Sequence, residues 1–206
     1  MVKEIWIIRH GQSLANSGEK TSIPSTIPLS PVGHQQAEKL TTQVVNKPDL
    51  IVVSPFLRTQ QTSQPVCHKY KDTPVEIWPI QEFTYIEPSR CCNTTTEERR
   101  PLVLEYWNRK DPYYQDGENA ESFAMLYDRV RAMFQKIKEL DETCFKYIVL
   151  FCHGQFMRAT QVYVDNPTVS VEKAMDLYID KNKNNEIKNT QIDKYLIDND
   201  KISKLN

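Results

Sequence analysis

The chain has 206 residues, with 26 basic and 27 acidic side chains for a formal net charge of −1; 39% of it is hydrophobic and 26% charged. That is the composition of an ordinary soluble globular protein, long enough for one sizeable α/β domain with its own core. The balanced charge carries no electrostatic footprint for nucleic acid or for an anionic membrane, although a small basic pocket for an anionic small molecule would be hidden in such a total.

In chain order, the first signal is the apolar run Ile5-Trp6-Ile7-Ile8. It is too short for a secretory signal, and no later stretch approaches the length of a membrane span, so the cytoplasm is the expected compartment. Residues 22–30, rich in Ser, Thr, Pro and Ile, read as a loop. Ser30 followed by Pro31 reads as a helix cap and a first-turn proline, predicting a helix over 31–45. Leu50-Ile51-Val52-Val53 is a second apolar run, followed by a helix over 57–70 and a weaker strand over 75–80. Residues 83–119 differ: Pro88, Pro101, Pro112, the Cys91-Cys92 pair and many aromatics and arginines suggest a cap-like insertion with a short helix around 99–108. A helix over 121–140 then carries Phe123, Leu126, Tyr127, Val130, Phe134 and Ile137 at helical spacing. Ile148-Val149-Leu150-Phe151 is the third run, and the tail, 187–197 and 201–205 around Asn199-Asp200, reads as a hairpin.

Continuous apolar runs of this length suit strands buried on both faces, and their alternation with helices predicts a parallel sheet. The expected fold is a three-layer α/β/α sandwich, mostly parallel with an antiparallel edge strand, as a single domain over 1–206 with its insertion at about 83–119. The five cysteines, Cys67, Cys91, Cys92, Cys144 and Cys152, are odd in number and lack repeated CxxC spacing. They read as free thiols, and no zinc-like ligand spacing exists. Neither a dinucleotide-binding nor a P-loop glycine pattern occurs.

Chemistry gathers where the strands end. The runs are followed by Arg9-His10-Gly11-Gln12-Ser13, by Ser54-Pro55-Phe56-Leu57-Arg58-Thr59, by Gln81-Glu82 and by Cys152-His153-Gly154-Gln155. In an open parallel sheet the carboxyl ends of the strands share one edge, where ligands bind. Arg9, His10, Arg58, Glu82 and His153 are therefore expected to meet. Two of only five glycines directly follow the two histidines, which suggests sharp strand-to-helix turns with backbone N–H groups aimed at an anion. Two arginines beside helix N-termini describe a site for a tetrahedral dianion, and a nearby Glu82 could protonate a leaving group.

Ile8-Arg9-His10-Gly11-Gln12-Ser13 with Asn16 resembles the signature of the histidine phosphatase superfamily, also called phosphoglycerate mutase-like. Leu29-Ser30-Pro31-Val32-Gly33 through Gln36-Ala37, Ser54-Pro55 with Arg58-Thr59, Glu121-Ser122-Phe123, and His153-Gly154 are similar to its later landmarks, in the same order. The resemblance implies that His10 takes the phosphoryl group on a ring nitrogen. It implies that Arg9, Arg58, His153 and the adjoining Gly154 hold the phosphoryl oxygens, that Asn16 contacts phosphate, and that Glu82 is first the general acid and then the base. It implies no metal or organic cofactor. Neutral His10 needs a partner that fixes its proton, which the sequence does not reveal.

The chain departs from the family where a glycine and a tryptophan commonly follow the acid. Glu82-Phe83-Thr84-Tyr85-Ile86-Glu87-Pro88 stands there instead, and leaves Glu87 as a rival. Arg99 and Arg100 read either as a solvated helix start or as a second anion clamp. Tyr85, Tyr106 and Trp107 either wall the pocket or pack the cap, and His34 and His68 are expected to be structural. The favoured function is hydrolysis of small phosphomonoesters; the alternatives are phosphoryl transfer of the phosphoglycerate mutase type and a non-catalytic module that binds a phosphorylated ligand. The partner expected is a small phosphorylated substrate, and the oligomeric state is not legible.

Overall fold

A computed structural model describes residues 2–199 and 201–205. The three apolar runs become the centre of a six-stranded sheet: β1 (Val2–Arg9), β2 (Leu50–Val53) and β4 (Tyr147–Cys152), with β3 (Val75–Ile77), β5 (Ile192–Asp198) and β6 (Lys201–Lys204) outside them. The order is β3-β2-β4-β1-β5-β6. The first four strands run parallel, and β5 and β6 are antiparallel. The antiparallel edge thus consists of two strands; Asp200, in the expected turn between them, lies outside the described residues.

Side-chain alternation explains why the runs are apolar throughout. Ile8, Ile51, Val53, Val149 and Phe151 pack on one face against Leu40, Val44 and Val66, which belong to α1 (Pro31–Gln43), its end, and α2 (Leu57–Lys69). Ile5, Ile7, Leu50, Val52, Ile148 and Leu150 pack on the other, against α4 (Phe123–Glu139), α5 (Gly154–Asp165) and α6 (Val171–Asn184). This makes three layers, with strands buried on both sides as parallel sheets require. Among the described residues no helix is long and apolar enough to cross a membrane.

The cap expected at Ser30 forms, and a second, not expected, forms at Ser122. Ser30 Oγ accepts from Gly33 N at 3.1 Å, and Pro31 opens α1. Ser122 Oγ accepts from Met125 N at 3.3 Å, so α4 begins at Phe123 and leaves Glu121 outside the helix. The helix of the inserted segment, α3, spans Arg100–Arg109. The weak strand stops at Ile77, three residues in register with β2, and Trp78-Pro79 turn away.

One expectation is overturned. No helix starts at Gly11; the chain runs as a loop, broken only by one 3-10 turn at Pro24–Thr26, until α1. Gly11 has no positive φ. It is required because a Cβ there would lie 2.6 Å from the carbonyl oxygen of Gly33. Close backbone approach, not a sharp turn, is what the missing side chain permits. A helix does follow the second histidine, where Gly154 opens α5.

Candidate active site

Strand register assembles the site. Arg9 pairs with Cys152 across β1 and β4, so the next residues, His10 and His153, emerge side by side with ring centroids 5.1 Å apart. Val53 pairs with Phe151, which places Ser54 beside them. Both imidazoles are buried, at 2% and 0% exposure.

The partner that fixes the His10 proton is its neighbour's backbone. Nδ1 lies 2.6 Å from the Gly11 carbonyl oxygen. A carbonyl can only accept, so Nδ1 carries the hydrogen and Nε2 presents its lone pair. Arg58 Nε, from the first turn of α2, approaches that Nε2 at 3.2 Å. Burial, then the charges of Arg58 and Arg9, push the His10 pKa well below 6.5, so the ring is neutral at physiological pH. The loop itself is held by Gly11 N donating to Thr62 Oγ1 at 3.0 Å, and by Asn189 Nδ2 donating to the His10 carbonyl at 3.0 Å.

His153 has one ring nitrogen occupied: Nε2 meets Ser54 Oγ at 2.8 Å. Its Nδ1 is buried without a protein partner, as is Arg9 Nε. Buried polar atoms left unpaired are costly; here one belongs to His153 and the other lies beside Gly154. Burial first, then Arg58, hold the His153 pKa well below 6.5. Arg9 donates through Nη1 to the Ile187 carbonyl, and Gly154 lets it lie close, since a Cβ there would sit 3.3 Å from Arg9 Nε. Arg58 is 6% exposed, donates from Nη1 to the Pro24 carbonyl at 2.7 Å, and lies over the Phe56 ring. Burial lowers its pKa to about 10, which leaves it cationic.

Glu82 faces both arginines. Its Oε1 accepts from Phe83 N and from Gln155 N, each at 3.1 Å; Gln155 N belongs to the first turn of α5, whose dipole favours negative charge. Burial nevertheless dominates and raises the Glu82 pKa, against Arg58, Arg9 and the two backbone donors. Its segment is anchored by Arg129, which donates to the Pro79 and Gln81 carbonyls at 2.9 and 3.1 Å and pairs with Glu121 at 2.7 Å.

Arg9, His10, Asn16, Arg58, Glu82 and Arg99 all line one cavity of about 240 Å³. Asn16 Oδ1 accepts from Ser13 N and Asn189 Nδ2, both at 3.2 Å. Arg99 spans the far wall, donating to Thr94 Oγ1 and Thr21 Oγ1, each at 2.7 Å, and so tying the loop after β1 to the inserted segment. His153 and Gly154 are not in that lining; His153 adjoins it through its ring contact with His10. Two further predicted residues are not brought in. Arg100 is exposed and pairs with Glu97 at 3.2 Å. Glu87 accepts from Asn119 N at 2.9 Å and Asn119 Nδ2 at 3.2 Å, spending its carboxylate outside the cavity wall. Tyr85 does line the cavity, whereas Tyr106 is buried in an aromatic cluster and Trp107 stacks on Tyr178. His34 and His68 are exposed on helices.

Sequence reasoning missed Asn189, Gln155 and Thr62. Gln155 adjoins the His153-Gly154 signal, but Asn189 sits in a polar tail with nothing to mark it. Ligand atoms of His10, Glu82 and His153 lie within 4.8 Å of one another, a spacing that could accept a metal ion. Arg9 and Arg58 fill the same cavity with two positive charges, so the electrostatics suit an anion instead.

The family model for the histidine phosphatase superfamily (branch 1) matches residues 5–201. The chain is 24% identical over 204 residues to 2,3-bisphosphoglycerate-dependent phosphoglycerate mutase 1 of Arabidopsis thaliana, across 83% of this chain and 60% of that protein. It therefore spans less than two thirds of that relative's length. Among solved structures it is similar to a phosphoserine phosphatase variant from Entamoeba histolytica in complex with phosphoserine, with TM-score 0.74, 18% identity, and 99% and 95% of the two chains covered. It is also similar to the alpha-ribazole phosphatase from Shigella flexneri, with TM-score 0.72, 19% identity, and 98% and 94% covered. The matched span includes every strand-end residue described above, and on that span this chain belongs to branch 1 of the histidine phosphatase superfamily.

Proposed function

We propose that the chain hydrolyses phosphomonoesters through a phosphohistidine formed on His10 Nε2. The observation that carries the reading is the fixed tautomer: Nδ1–H is held by Gly11 O, and Nε2 is left as a buried, neutral lone pair beside a guanidinium. A pocket that only binds phosphate has no need of such a nucleophile.

Nε2 attacks phosphorus and the bond to the leaving oxygen breaks. Arg9, Arg58 and His153 Nδ1 take the phosphoryl oxygens, with Asn16 and the backbone N–H at Gly154 beside them. Stabilising this charge is most of what the reaction needs. Glu82, with its raised pKa, gives its proton to the leaving oxygen. As a carboxylate it then takes a proton from water, whose oxygen attacks phosphorus and releases His10. No step requires a metal ion.

The similarity to a phosphoglycerate mutase favours a second reading, in which another phosphoglycerate receives the group instead of water. The test is turnover of para-nitrophenyl phosphate with excess chelator, and of 3-phosphoglycerate, by the native chain and by His10→Ala. Metal-independent release of phosphate that disappears in the variant, with acid-labile phosphate trapped on the native chain, supports hydrolysis. Transfer to phosphoglycerate without release supports the mutase. Neither turnover nor trapped phosphate would sink both and leave a binding module.

A further inference from the structure

Beside the catalytic cavity lies a second, larger cleft of about 570 Å³. The two adjoin: Pro24, Thr84 and Pro88 wall both. The new cleft is apolar. Phe56 and Trp78 contribute rings, and Ile23 and Ile77, which line it, are 60% and 56% exposed. Prolines 24, 55, 79 and 88 stiffen its walls, so it exists before any ligand arrives. Its one carboxylate, Glu121, is paired with Arg129, and no lysine or arginine lines it among the described residues.

The position of Glu82 connects this cleft to the chemistry. A leaving oxygen must lie opposite His10 and within reach of the acid. Glu82 lines the catalytic cavity, Gln81 before it lines the apolar cleft, and Thr84 lines both. On the other side Phe56 borders the cleft while its ring meets His153 edge-on, centroids 5.2 Å apart, and carries Arg58 above it. A group attached to the leaving oxygen would enter this cleft by passing between Phe56 and Thr84.

We propose that this cleft is the leaving-group subsite, and that the preferred substrates are phosphomonoesters of an uncharged alcohol with an apolar ring or branched chain. The proposal rests on the phosphatase reading above for its meaning, but not for its test. An apolar wall without a free cation gains by burying apolar surface and cannot compensate a second anion. Compact, doubly anionic esters such as 3-phosphoglycerate or phosphoserine gain nothing from it.

Binding separates the proposal from catalysis. Calorimetry on the His10→Ala chain is expected to find 1-naphthyl phosphate bound about tenfold more tightly than methyl phosphate, the equivalent of burying roughly two methylene groups. Ile77→Asp and Ile23→Asp, at exposed positions that should not disturb folding, should each remove most of that difference and leave methyl phosphate unchanged. In the native chain the same variants should raise KM for 1-naphthyl phosphate severalfold without altering kcat for methyl phosphate. Equal affinity for the two esters, or a preference that survives both aspartates, overturns the proposal even if hydrolysis is confirmed. A preference found without any turnover keeps the subsite and rejects only the phosphatase reading.

Discussion

Replacing Gly33 by alanine tests how the loop that carries His10 is held. At an exposed helix position Gly→Ala stabilises by about 1 kcal/mol. Gly33 is instead in the first turn of α1 with its Cα face against the loop after β1. A Cβ there would lie 2.0 Å from the Gln12 carbonyl oxygen and 2.9 Å from its carbon. Both neighbours are backbone, so no rotamer change relieves them, and more than an ångström of separation is needed. Gln12 cannot retreat freely: its carbonyl accepts from Ser30 N at 2.8 Å, its N–H donates to Gln36 Oε1 at 2.8 Å, and its side chain meets Ser30 Oγ at 2.7 Å. Overpacking of about 3 kcal/mol and the weakening of one such hydrogen bond, about 1 kcal/mol, outweigh the helix gain. The expected net loss is about 3 kcal/mol, or a fall in Tm of roughly 6–12 °C for a chain of this size. Because Gln12 is two residues from His10, kcat should fall as well, while the far-UV spectrum stays native. Denaturant unfolding and thermal melts of the purified variant measure the first, and phosphatase assay the second. A variant as stable as the native chain, or more so, would refute the close-approach argument for both Gly11 and Gly33.

Four further outcomes are expected. Glu82→Gln should lower kcat about 10²–10⁴-fold and abolish the alkaline fall in rate, whereas Glu87→Gln should keep kcat, which a steady-state comparison decides. The activity profile should be bell-shaped: it rises with pH as His10 loses its proton through a depressed pKa, and falls as Glu82 loses its proton through a raised one. Stability follows the histidines: both are held neutral when folded, so their contribution is complete above the ordinary value of 6.5 and lost progressively as pH falls below it; melts showing no loss between neutral and mildly acid pH would contradict the burial of the pair. Arg129→Met should lower kcat with little change in KM, because Arg129 braces the Gln81 carbonyl without touching the cavity, and a pH profile should show the alkaline limb displaced; an unchanged profile would reduce Arg129 to a structural ion pair.

Much of the fold was legible because both-face burial leaves a plain signal. Strands covered on two sides must be apolar at every position, so Ile5–Ile8, residues 50–53 and residues 148–151 stood out as runs, and the carboxyl-edge rule then pointed to Arg9, His10, Arg58, Glu82 and His153 as neighbours. The cap Ser30 was readable because capping is local, whereas Ser122, expected inside a helix over 121–140, is itself the cap of α4. What remained hidden depended on contacts between distant segments. Gly11 looked like a turn glycine, but the reason for it is Gly33, twenty-two residues away in another element. Glu82 and Glu87 were indistinguishable as letters; only the fold turns one toward two guanidiniums and gives the other to Asn119. Arg99 and Arg100 were likewise a pair until the loop after β1 met one of them and left the other in solvent. The tautomer of His10 and the apolar cleft beyond Glu82 have no sequence signature at all. Strand runs, caps and motif order are set by local chemistry and burial pattern, which a chain carries residue by residue. Which atom faces which, and therefore which carboxylate is placed to act as the acid in the proposed reaction, is decided only when separate segments pack against one another.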